Sequence, residues 1–174
     1  PLLVEVQALA SHTSFGNPRR TANGLDFNRL LLTIAVLTRR VGLNLGEQDV
    51  FANVVGGLQV EEPAADLAVV LALTSSIWDQ PVPADMAFVG EVGLSGEVRS
   101  VGQLESRLNE ASRLGFRKVI IPRRLGRSRP DDPGFTAPKD LETIQVRSVR
   151  EAIDSVLGPH RTGRKNRSND NDQA

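Results

Sequence analysis

The chain contains no cysteine, which excludes disulfides, thiolate zinc sites and a cysteine nucleophile. Its only histidines are His12 and His160, and both fall in segments expected to be loop or tail. A metal site or a Ser-His-Asp triad therefore has too few imidazoles to build on. Lysine is scarce too: Lys118, Lys139 and Lys165 are the three present, and none precedes Lys118. Aromatic residues make up 4% of the chain, with no tyrosine and one tryptophan, Trp78, so base stacking of the kind used by single-strand-binding folds is poorly supported. No apolar run approaches the roughly 18 residues of a membrane span, and no basic-then-apolar leader opens the chain. A cytoplasmic protein without membrane contact is expected. No GxxxxGK[ST] phosphate loop occurs.

What is present fits one soluble globular domain: 174 residues, 40% of them apolar, with 21 basic and 21 acidic side chains. Zero formal charge gives the chain no bulk attraction for polyanions. The basic residues are nearly all arginine, a ratio that codon usage in a GC-rich genome explains, so their distribution is more informative than their number. The chain begins with Pro1 rather than Met, and a fragment of a longer protein is expected.

Hydrophobic spacing predicts a strand over 2–9, a loop over 11–23 and a helix over 25–41 with Leu30, Ile34, Leu37 and Val41 on one stripe. Gly42 is placed to cap that helix. A strand follows over 49–55, ended by Gly56 and Gly57. Pro63 suits the first turn of a helix running to about Trp78 that is apolar nearly all round, hence central and buried. Short strands are expected over 87–92 and 97–101. An amphipathic helix spans 102–114 with Leu104, Leu108, Ala111 and Leu114 on one side. A short apolar strand covers 118–121, an irregular loop 123–139 and an edge strand 141–146. Ser148 with Glu151 three residues later is a capping-box pattern opening a last helix to Leu157. Residues 158–174 have the composition of a disordered polar tail, leaving 1–157 as the domain. The fold class is α+β, an α/β two-layer arrangement of a mixed sheet packed with helices.

Three segments sharpen this. They are Asn23-Gly24-Leu25-Asp26-Phe27-Asn28-Arg29-Leu30, then Asn53-Val54-Val55-Gly56-Gly57-Leu58, then the block from Gly90 to Pro122. Together they resemble the Lon-protease-like domain of the RadA/Sms family of DNA-repair ATPases, and the first is more like that family than like true Lon proteases. The resemblance implies a Lon-protease-like fold related to the ribosomal S5 domain 2 type. It also implies a homo-oligomer, a hexameric ring beneath a RecA-like motor that drives recombination or branch migration on single-stranded or branched DNA. ATP, magnesium and zinc would belong to N-terminal domains missing from this chain, which has no cofactor of its own.

In Lon proteases a serine at the start of one helix and a lysine on the next form the catalytic dyad. The serine segment there reads Pro-Ser-Ala-Gly; here it reads Pro63-Ala64-Ala65-Asp66, and the lysine position falls at Glu105. A methyl group cannot attack a carbonyl, and no lysine lies upstream of Lys118 to restore the base in another register. The resemblance therefore implies a fold kept without its peptidase chemistry. Alternatives remain open at this level: a relocated Ser75–Lys118 dyad, or a purely structural oligomerisation module. Glu61, Glu62 and Asp66 are more simply read as complementing a helix dipole than as a catalytic cluster. The glycines of 56–57 and 90–96 lack phosphate-loop spacing and read as turn glycines.

For nucleic acid, Arg29 and Arg40 are eleven residues apart, about 20° in azimuth on an ideal helix, and are expected to share a face. Arg19 and Arg20 lead into that helix and Arg39 adjoins it. Arg117 with Lys118 and Arg123 with Arg124 bracket a strand. These clusters are candidates for backbone contact without base readout. The tail cations Arg161, Arg164, Lys165 and Arg167 are diluted by Asp170 and Asp172 and are assigned to a solvated terminus.

Overall fold

A computed structural model describes residues 1–14, 16–123 and 135–159; Arg124, the middle of the expected loop, His160 and the remainder of the tail lie outside them. Among the described residues eight strands and four α-helices follow in the order β1 (Val6–His12), β2 (Arg20–Asn23), α1 (Phe27–Val36), β3 (Gln48–Val54), α2 (Asp66–Trp78), β4 (Met86–Phe88), β5 (Glu91–Val92), β6 (Val98–Arg99), α3 (Leu104–Arg113), β7 (Lys118–Pro122), β8 (Glu142–Val146) and α4 (Val149–Leu157). Two three-stranded sheets, ordered β1-β3-β2 and β4-β7-β8, are accompanied by the β5-β6 hairpin. The first sheet is mixed, β1 antiparallel and β2 parallel to β3, and the second is parallel throughout. This is the α+β class expected.

The long central helix behaves as its composition requires. Leu67, Val70, Leu71 and Leu73 of α2 are buried against Leu30 and Leu37 from the first helix, Val50 of β3, Ile120 of β7 and Ile153 of α4. A smaller core of Leu108, Val119, Ile121 and Leu141 lies under α3. Asp26 caps α1 by accepting from Arg29 N–H at 2.8 Å, and Ser148 Oγ caps α4 by accepting from Glu151 N–H at 3.2 Å. Both helices thereby satisfy orphan first-turn donors.

Several expected boundaries shift. The first strand begins at Val6, and Leu2 and Leu3 precede it as exposed residues. His12 ends β1 opposite Gln48 and is not in a loop. The segment Arg20–Asn23, assigned to loop from its polar composition, is a strand held beside β3 by main-chain pairing and by arginine bonds. The helix expected to run to Val41 is α-helical to Val36 and closes through a π turn over Leu37–Val41, with Gly42 N–H bonded to Leu37 O at 3.0 Å. Gly42 has φ +85°, the left-handed cap its position suggested. The strand expected over 87–92 is broken at Val89–Gly90, because Gly90 N–H turns to Ala64 O at 2.9 Å. Leu114 lies beyond α3 and is largely exposed.

Gly24, between β2 and α1, has φ +74°, and a Cβ there would collide with Leu58 O and sit 2.8 Å from Val54 Cβ. No alanine can occupy that position without moving backbone. Gly24→Ala is expected to destabilise the domain by about 2 kcal/mol or more, as a fall in urea midpoint at unchanged m-value; an unchanged midpoint would contradict the geometry.

Candidate functional site

Two features qualify: the groove where the Lon dyad would lie, and the distribution of cations. Ala64 belongs to a 3₁₀ turn, Pro63–Ala65, that runs directly into α2, and it is only 5% exposed. Its carbonyl accepts from Gly90 N–H, and Gly90 O accepts from Leu67 N–H at 3.2 Å. These bonds fasten the helix start to the chain after β4. Gly90 has to be glycine, since a Cβ would lie 2.7 Å from Val98 Cγ1.

A groove of about 400 Å³ opens over Ala64, walled on the α3 side by Gln103, Arg107, Glu110 and Ala111. The lining contains no serine, threonine or lysine among the described residues. Arg107 donates to Gly102 O at 3.0 Å and pairs with Glu62 at 3.3 Å. Glu105 is exposed on α3 and does not line the groove. The other pair considered is engaged elsewhere: Ser75 Oγ donates to Gln80 O at 2.6 Å, and Lys118 Nζ lies 3.5 Å from Glu142.

The acidic residues near this helix do not act as one cluster. Asp66, the first residue of α2 and 7% exposed, is bound by the Arg29 guanidinium through Nε at 2.9 Å and through Nη2, and it also accepts from Val92 N–H at 3.0 Å. The hydrogen bond to Asp66 holds the Arg29 pKa above its ordinary value. This pair is more than a dipole complement, because it joins α1, α2 and β5.

Arg29 is thus consumed by a carboxylate, and it does not share a cationic face with Arg40. Arg40 lies within the π turn, where the wider winding breaks the 100° register assumed for an α-helix. Arg19 is also paired. Its N–H donates to Asp49 Oδ1 at 2.7 Å and its guanidinium bonds Asp49 Oδ2 at 2.9 Å. The bond from Arg19 N–H, followed by its guanidinium, holds the Asp49 carboxyl below its ordinary range. Arg20 donates to Leu45 O at 2.6 Å and to Gln48 O. Arg117 and Arg123 stand at opposite ends of β7, about 20 Å apart at the usual strand rise, so they form no single patch.

The exposed cations left without a carboxylate partner among the described residues include two outside the expected set. Arg150 of α4 donates to Arg40 O at 3.1 Å and Val41 O at 2.9 Å, which puts α4 against the end of the first helix. Arg147 precedes the Ser148 cap, and Arg123 N–H bonds Val146 O at 2.7 Å beside it. Arg39, Arg40, Arg123, Arg147 and Arg150 are all exposed and form no ion pair within the described residues. The signal available in the sequence was their location. Arginines around a helix N-terminus oppose its dipole, so Arg147 and Arg150 are not explained by helix formation.

A family model described as the Lon protease (S16) C-terminal proteolytic domain matches residues 45–159. The DNA repair protein RadA of Bacillus subtilis (strain 168) is 52% identical over 159 residues, covering 91% of this chain and 33% of that protein. RadA of Escherichia coli (strain K12) is 53% identical over 153 residues, covering 88% and 32%. RadA of Streptococcus pneumoniae (strain ATCC BAA-255 / R6) is 46% identical over 157 residues, covering 90% and 36%. The chain spans about a third of the length of the curated relatives it matches.

Arg29→Ala strands Asp66 as a buried carboxylate, and a loss of about 2 kcal/mol is expected, reduced from a fully buried pair because the guanidinium is a third exposed. Equilibrium urea unfolding checks this, and a loss below experimental error would show the pair to be incidental. For Asp49 the folded-state pKa is depressed. Its stabilisation is complete above the unfolded carboxylate pKa, near 3.9, and disappears as pH falls through the folded value. Asp49→Asn should therefore lower Tm at pH 7 and converge with the parent in acid; a gap that persists at all pH values would assign the effect to shape.

Proposed function

The chain belongs to the Lon protease (S16) C-terminal proteolytic domain family, in the form carried by RadA DNA repair proteins, and on that premise we propose a Lon-like domain without peptidase chemistry that serves as a ring platform and a non-sequence-specific DNA-binding surface. The DNA reading draws on the docking of Arg150 against the Arg40 and Val41 carbonyls, which brings two arginine-bearing segments more than 100 residues apart in sequence, 39–40 and 147–150, into contact. Arginine forks suit phosphate oxygens. With few aromatics, affinity comes from neutralising the backbone of single-stranded or branched DNA. The platform reading draws on the outer face of α1, where Phe27, Leu31 and Leu32 are 46%, 39% and 49% exposed. Three apolar side chains turned outward on one helix suit packing against a neighbouring copy in a hexameric ring.

Loss of peptidase chemistry rests on Ala64 at the nucleophile position and on a groove lining that offers no amine base within the described residues. The ATPase motor, with its magnesium, and a zinc-binding segment are assigned to the part of the longer relatives that this chain does not match. The chain carries no phosphate loop.

Fluorescence anisotropy with labelled single- and double-stranded DNA at several salt concentrations tests the DNA reading. Binding should fall steeply with salt. Arg39→Ala with Arg40→Ala should weaken it for all sequences alike and lower the salt slope by about 1 for each phosphate no longer neutralised; Arg147→Ala should act in the same direction. Salt-insensitive binding, or variants that bind like the parent, would leave the domain as a structural module only. Ala64→Ser is expected to fold and to remain without peptide hydrolysis, because no amine base faces it among the described residues. Hydrolysis by the parent that Ser75→Ala abolishes would instead establish the relocated dyad.

A further inference from the structure

Among the described residues strand β1 is an edge of the first sheet. Val55 N–H donates to Glu5 O at 2.9 Å and Thr13 N–H to Glu47 O at 3.0 Å. With the register Val6↔Val54 through His12↔Gln48, the odd-numbered residues bond β3, and the even-numbered ones turn N–H and C=O outward. Ala10 confirms the parity, since its outward N–H donates to Ser76 Oγ at 2.9 Å. The outward groups of Val6 and Ala8 find no partner within the described residues. Natural edges are normally blunted by charge, proline or a covering element; Val6–His12 reads VQALASH and carries no proline, lysine or carboxylate.

Beside Val6 and Ala8 runs a groove of about 460 Å³, floored by Leu71 and Ala72 of α2 and walled opposite by Val82 and Phe88. Val89 N–H bonds Ile120 O, and Lys118 N–H bonds Asp85 O, so the main-chain groups of Phe88 in β4 also face away from β7. Gln80 lines the groove too, and its Oε1 is buried with no hydrogen-bond partner among the described residues. The only charged residue of the described lining is Asp79.

We propose that this edge and groove bind an extended polypeptide strand from a partner protein by β-addition. Donors and acceptors at Val6 and Ala8 repeat at about 6.8 Å, the repeat of an extended backbone. Alternate side chains of the bound strand would lie over Leu71 and Ala72, which selects small apolar residues. Asp79 selects a basic residue at one end. The site is separate from the groove over Ala64 and independent of the DNA reading.

The test is an NMR titration of the chain with the octapeptide Lys-Thr-Val-Thr-Val-Thr-Val-Lys. The expected result is shifts and slowed exchange at the Val6, Ala8 and Phe88 amides, saturating by about 1 mM, the weak end of specific binding. Ala8→Pro removes an outward donor and no β3 ladder bond, so it should weaken binding about fivefold. Ala72→Phe, which fills the groove without touching the backbone, should weaken it at least as much, and this second variant keeps the test decisive if Ala8→Pro misfolds. No shift at these amides, or equal affinity in Ala72→Phe, would overturn the proposal. Protection of Val6 and Ala8 that rises with protein concentration and needs no peptide would also overturn it, assigning the edge to a second copy of the chain.

Discussion

The Arg29–Asp66 ion pair is the interaction around which the rest of this domain is arranged. Asp66 opens the central helix and is nearly buried, so its charge must be met from within the protein. It is met three ways: by the helix dipole, by Arg29 from α1, and by Val92 N–H from the β5-β6 hairpin. Removing one partner leaves the others to hold a desolvated carboxylate, which is why such pairs are costly to break even when they add little net stability over an apolar substitute. The two residues lie in different segments of the chain. Arg29 lies upstream of the residues matched by the Lon family model, and Asp66 lies within them.

The same corner shows what fastens the start of the central helix. Ala64 is fixed by main-chain bonds, its carbonyl accepting from Gly90 N–H while Gly90 O accepts from Leu67 N–H. None of these uses the side chain at position 64. The fastening of helix to strand therefore does not depend on whether a hydroxyl stands at that position. The groove remains because Gly90 and the flanking apolar residues are needed for close packing. The fold at this corner is held by backbone, whereas peptidase chemistry of the Lon type needs two particular side chains.

Much of the architecture was legible because local signals agreed with one another. The Leu30–Ile34–Leu37 spacing, the apolar run of α2, the Gly42 cap and the Ser148–Glu151 box each carried a mechanism that the fold obeys. What escaped the sequence was decided by partners distant along the chain. β2 has a polar sequence and forms because Asp49 and the carbonyls of Leu45 and Gln48 capture Arg19 and Arg20. The supposed Arg29–Arg40 face required an unbroken α-helix and an unpaired Arg29. The π turn removed the first condition and Asp66 the second. Arg147 and Arg150 were visible as residues, but their adjacency to Arg40 depends on where α4 docks.

A zero net charge conceals this organisation, because neutrality is reached differently in different parts of the molecule. Arg19, Arg29, Arg99, Arg107, Arg113 and Lys118 each stand within 4 Å of a carboxylate, so their fields largely cancel where they arise. Arg39, Arg40, Arg123, Arg147 and Arg150 are exposed without such a partner in the described residues, and Arg150 ties two of their segments together through main-chain carbonyls. At physiological ionic strength charges are screened beyond about 8 Å. A polyanion approaching the surface therefore responds to the local group and not to the molecular sum. The pairing pattern, more than the composition, determines which face of a neutral domain presents positive charge.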